Sequence, residues 1–105
     1  MRDEVLRYTD GVTPELDPDL LVGEEISRSA DFRDVLEALW GDLTDEERTA
    51  VRAADLVLVR SAARLAPFWR NDQTAYDREA EGIPQSRWWW WLDKIADGSL
   101  QAPEL

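Results

Sequence analysis

The chain has no histidine and no cysteine. That removes zinc sites built on Cys or His, haem and iron–sulfur ligation, disulfides, thiol nucleophiles and any Ser-His-Asp triad. The groups whose type and spacing still matter are carboxylates, arginines and aromatic rings. Three arrangements stand out: Asp55 in an apolar setting, several close-set acids, and the run Trp88-Trp89-Trp90-Trp91.

On a helix, Asp55 falls at the angle of Ala62 and Ala66, between the Val51/Leu58 and Val59 stripes. An acid placed there is partly buried, and a buried carboxylate needs a partner or it protonates. Arg52 and Arg48, three and seven residues earlier on the same side, supply the expected buried ion pair Asp55–Arg52/Arg48. An Arg from another helix would serve equally. The catalytic alternative makes Asp55 a perturbed acid in a cleft, with tryptophans walling a pocket of a small enzyme or cofactor-binding domain. No His, Cys or second placed acid accompanies it, so no catalytic residue is expected. The acid clusters Asp17/Asp19, Glu24/Glu25 and Asp42/Asp45/Glu46/Glu47 bring calcium to mind, because it takes oxygen ligands alone. The stretch from Asp17 fails the EF-hand pattern at its fifth and sixth positions, and Asp42 and Asp45 are explained by a helix start. No metal and no cofactor is expected.

Four consecutive residues on an α-helix span about 300° of its surface. Trp88 and Trp91 share the side of Leu92 and Ile95, whereas Trp90 falls among Asp93, Lys94 and Asp97. Trp90 is therefore expected to point outward, as an apolar anchor for a partner together with Trp89 and Trp69, unless another segment folds over it. A homodimer through this Trp surface is an alternative. Stacking on a base is disfavoured by the lack of a basic groove. Arg60, Arg64, Arg70, Arg78 and Arg87 lie in the second half and are expected on a solvated face with intramolecular pairs.

The elements that must position these groups are helical. No stretch alternates with period two, so the expected fold class is all-α, a small compact helical bundle in a single domain, 1–105. Three main helices are expected. One spans about 31–40, capped by Ser29 or Asp31 and closed by Gly41, with Phe32, Val35, Leu36, Leu39 and Trp40 inward and Arg33, Asp34 and Glu37 outward. The second spans about 45–66, opened by the capping box Thr44-Asp45-Glu46-Glu47 and bounded by Pro67. It is apolar over more than half its circumference and should be contacted on several sides. The third spans about 87–97, capped by Ser86 and ended by Gly98. Shorter helices are expected near 3–8, 17–22 and 73–81, the last with Asp72 as cap and Gly82 as stop.

Charge sets the expected function. The net charge is −11, and residues 1–50 hold fifteen acids against five bases, whereas residues 51–105 are nearly neutral. Eleven of the twelve bases are Arg, which points to a GC-rich prokaryotic genome or a salt-rich cytosol. No run approaches the ~18 apolar residues of a membrane helix. Met-Arg-Asp-Glu carries no apolar leader, so the expected location is cytoplasmic. The expected function is that of a non-catalytic acidic interaction protein that binds and modulates another protein, in a regulatory or accessory role. The partner should have a basic surface, met by Glu24, Glu25, Asp34, Glu37 and Asp42. No direct nucleic-acid binding is expected. A nucleic-acid mimic, presenting carboxylates where phosphates sit, is the alternative within binding.

Overall fold

The computed structural model describes residues 1–12, 23–71 and 73–104. It is all-α, as expected: α1 (Asp3–Gly11), α2 (Gly23–Ala38), α3 (Asp45–Arg60), α4 (Ala62–Asn71), α5 (Gln73–Glu81) and α6 (Leu92–Asp97). Short 3-10 turns at Trp40–Asp42 and Trp88–Trp90 join α2 to α3 and lead into α6. The expected helix near 17–22 and the cap at Asp72 lie outside the described residues.

The capping box forms. Thr44 Oγ1 accepts from the Glu47 N–H at 3.1 Å, and Glu47 Oε1 accepts from the Thr44 N–H at 3.0 Å. The second oxygen, Oε2, accepts from the Arg2 N–H at 2.9 Å and so ties the start of α1 to the start of α3. Two backbone donors converging on one carboxylate hold the Glu47 carboxyl below its ordinary range, with Thr44 the larger influence and Arg2 the next. With Tyr8 meeting Asp55 farther along, α1 and α3 run side by side in the same direction.

Three boundaries differ from the sequence reading. First, α2 starts at Gly23 rather than near 31, because residues 24–30 contain no helix breaker and the acids at its start favour the positive end of the helix dipole. Second, the long helix breaks at Ser61 (φ −93, ψ 2), not at Pro67. The Ser61 carbonyl accepts from the N–H groups of Arg64 and Leu65 and starts α4, which continues through Pro67. The apolar register survives the break: Val51, Ala54, Leu58, Ala62, Leu65 and Ala66 are all buried. Third, the helix expected over 87–97 is two pieces. Trp90 and Trp91 donate to the carbonyls three residues back, and Trp91 (φ −121, ψ 27) is not helical, so α6 begins only at Leu92. The stop at Gly82 holds at φ 64, with the Ile83 N–H reaching back to the Arg78 carbonyl at 3.0 Å.

Val5, Tyr8, Leu36, Val51, Leu65 and Leu92 form the deepest part of the core, with Asp55 among them. No helix among the described residues is long and apolar enough to cross a membrane.

Candidate functional site

Asp55 is buried with no exposure, as its place on the α3 arc demanded. Its partners are not the ones expected. Arg33 of α2 reaches across, Nε donating to Asp55 Oδ1 at 2.9 Å and Nη2 to Oδ2 at 3.2 Å. The Tyr8 hydroxyl of α1 donates to Oδ1 at 2.5 Å. One carboxylate thus joins three helices. Arg52 instead lies over the Trp40 ring, 5.5 Å from its centroid. Arg48 donates to the carbonyls of Trp40 and Gly41 and to Asp45. The pairing of Asp55 with Arg52 and Arg48 is therefore corrected. Both start from α3 itself and leave it on the side of the Trp40–Asp42 turn.

Arg33 was placed outward by the sequence pattern, and the structure buries it at 5 % exposure while Val35 is exposed. The guanidinium lies 4.4 Å from the Trp89 ring centroid and 5.2 Å from that of Trp40, and its Nη1 donates to Glu37 at 2.9 Å. Aromatic faces on a cation and a bidentate carboxylate together make burial of this charge tolerable. Burial pushes the Asp55 carboxyl up, and Arg33 and then Tyr8 pull it back. Burial likewise drives the Tyr8 hydroxyl well above its ordinary value, reinforced by the adjacent Asp55 charge.

The indole quartet is organised around a second carboxylate. Asp34, one residue after Arg33, accepts from Trp89 Nε1 at 2.8 Å and from Trp90 Nε1 at 3.0 Å. Trp89 and Trp90 are each 2 % exposed, and Trp88 packs edge-on against Trp89. The expectation that Trp90 points outward is overturned, and with it the basis for a partner or dimer anchor at Trp90 and Trp89. The reason combines the local turn with an acceptor supplied by α2. A 3-10 turn advances about 120° per residue rather than about 100°, and the indole N–H groups, once buried, need an acceptor. The side chains of Trp69, Glu24 and Glu25 lie outside the described residues.

A third polar knot corrects the expectation of a solvated face for Arg78. Arg78 of α5 is buried, donating to Asp93 at 2.7 Å and to the Trp90 carbonyl at 3.1 Å, with its guanidinium 4.2 Å from the Trp91 ring centroid. The signal available was only that an Arg on α5 must face something, and the sequence left that partner open. The Arg78 Nε has no hydrogen-bond partner among the described residues.

These knots bind elements to one another. The oxygens of Asp55 are taken up by Tyr8 and Arg33. No three carboxylates among the described residues converge as metal ligands. Along α2, the following turn and the start of α3, the exposed charged side chains among the described residues are acids, Asp31, Glu37, Asp42 and Asp45 among them. The Asp31 carboxyl is pushed up by partial burial and then by its neighbours Asp34, Glu81 and Asp77. The chain matches no protein-family model, and comparison with curated proteins and with solved structures finds no match.

Proposed function

We propose that this is a non-catalytic acidic helical protein of the prokaryotic cytoplasm that binds and modulates another protein. The partner presents a basic surface, and the docking charge comes from the carboxylates of α2 and the turn after it rather than from the indoles. The observation that carries this reading is how the charged groups divide. The interior acids Asp55 and Asp93 are spent on Arg33 and Arg78, and Asp34 on two indoles, whereas Asp31, Glu37, Asp42 and Asp45 stay at the surface. A one-signed surface of this kind raises association rates with oppositely charged partners and makes binding sensitive to salt.

The test is affinity capture from a native cytosol at low and high salt, comparing wild type with D31N/E37Q/D42N. A specific protein retained by wild type at low salt, released at high salt and absent from the triple variant is the expected result. Equal retention by the triple variant, or binding that does not change with salt, refutes the reading.

A further inference from the structure

The sequence makes α3 apolar over more than half its circumference, and such a helix should be surrounded. It is not. Val51, Ala54, Asp55 and Leu58 are buried, but on the next face round Ala50, Leu56 and Val57 are only partly covered and Ala53 is exposed. Between this face and the end of α1 runs an apolar groove of about 280 Å³, lined by Thr9, Val12, Ala50, Ala53, Ala54 and Val57.

At about 100° per residue, Glu46, Ala53 and Arg60 fall within about 20° of one line along α3, with Ala50 and Val57 within about 60° of it on the groove side. Glu46 stands at one end and Arg60 at the other, equally far from Ala53, and no charge interrupts the line between them. Both are exposed, and neither makes an ion pair or side-chain hydrogen bond within the described residues.

We propose that this face pairs with the same face of a second copy, antiparallel, about a two-fold axis beside Ala53. That symmetry brings Glu46 of each protomer against the partner subunit's Arg60, and closes each groove with the partner's Ala50–Val57 stretch. An isologous contact requires a surface complementary to itself. Opposite charges placed symmetrically about an apolar centre meet that requirement, and the small residue at the centre lets the two helix axes approach closely. The seam is short, about 21 Å from Glu46 to Arg60 at ~1.5 Å per residue. It falls in the weak, transient class below about 1,200 Å² of buried surface.

The experiment is sedimentation velocity with light scattering on the full chain, from about 1 μM to about 2 mM protein at low salt. It spans dissociation constants of about 1 μM to 1 mM, the range of a weak contact. The mass should rise with concentration from 12.1 kDa towards twice that value. E46R and R60E should each weaken the dimer about tenfold by setting like charges opposite one another. An equimolar mixture of the two variants should associate again, because one chain then carries only positive ends and the other only negative. The chain has no cysteine, so A53C should cross-link as a symmetric disulfide, and A63C, on the exposed side of α4, should not. A wild-type protein that stays monomeric throughout overturns the proposal. So does a dimer that the single reversals leave intact and A53C fails to cross-link, since that dimer uses another face.

Discussion

Replacing Arg33 by Met tests the central polar knot most directly. The substitution removes two bonds to Asp55, at 2.9 and 3.2 Å, and leaves the Tyr8 hydroxyl as the remaining side-chain donor to a carboxylate with no exposure. Breaking a buried ion pair from one side costs about 3–5 kcal/mol, because a charge is left uncompensated. The bond to Glu37 adds little, since that acid is half in water. Loss of the cation from between Trp89 and Trp40 adds about 0.5–1 kcal/mol. Methionine keeps part of the side-chain volume, so R33M should lose about 4 kcal/mol out of a total stability of about 5–15 kcal/mol. Urea denaturation followed by tryptophan fluorescence reads this as a midpoint lowered by about 2 M, for a slope near 2 kcal/mol/M.

The same variant carries a pH signature. Burial already raises the Asp55 carboxyl, and loss of Arg33 removes the influence that most opposes this. A group raised in the folded state favours folding below its unfolded value and disfavours it as pH climbs through the folded value. The deficit of R33M against wild type should therefore be full at neutral pH and shrink on acidification towards the unfolded value of 3.8. R33M/D55N should recover part of the loss at neutral pH. A deficit below about 1 kcal/mol, or one that stays constant from neutral to acid pH, refutes the account of Arg33 as the counter-charge of Asp55.

Asp34→Ala strands two buried indole N–H groups and should cost about 2–4 kcal/mol in the same denaturation assay. D34N, which keeps an accepting oxygen, should cost less, and equal costs would sink the idea. Tyr8 is raised above 10.0, so the fold keeps it protonated while the unfolded chain ionises, and stability should fall as pH rises past 10.0. In a Y76F background the tyrosinate absorbance is that of Tyr8 alone, and it should appear together with unfolding; ionisation of Tyr8 in a folded protein would contradict this. Asp31→Asn should be stabilising at neutral pH, because the raised carboxyl marks a cost of holding that charge in a partly buried place and then near Asp34, Glu81 and Asp77. The gain should vanish in acid, where both side chains are neutral, and a D31N protein less stable than wild type at pH 7 would show that Asp31 is held by attraction instead.

The backbone was legible where local chemistry decides it. The capping box at Thr44, the stop at Gly82 and the helix over 73–81 each rest on interactions within a few residues, and all three are present. The apolar arc through Val51, Leu58, Ala62 and Leu65 was also legible, even though the helix carrying it breaks at Ser61. The orientation of α2 was not. Periodicity over 31–40 picked a face through Phe32, Val35 and Leu36, but the helix runs from Gly23, its apolar residues over that length lie on nearly every side, and its inward face includes Arg33, held by Asp55. That left Val35 exposed where the pattern had placed it inside. A buried acid announces that it needs a cation, but it does not say which helix will deliver one.

The four indoles show why that gap matters for function. Read as an α-helix, they force one ring into solvent and suggest a docking anchor. The 3-10 turn changes the angular step, and Asp34 supplies one acceptor for two neighbouring N–H groups, so the run closes inward. A carboxylate 55 residues away thus decides whether a tryptophan is a binding surface or a core residue. In this strongly acidic chain, the acids drawn inward meet donors that lie far from them in sequence: Arg33 and Tyr8 at Asp55, Trp89 and Trp90 at Asp34, Arg78 at Asp93. Such pairs contribute little net stability once desolvation is counted, but each is satisfied in only one arrangement of the helices it joins. The acids that stay at the surface are the ones placed to act on another molecule, although Glu37 and Asp45 also meet Arg33 and Arg48 within the chain. They became identifiable only once the internal donors had been assigned.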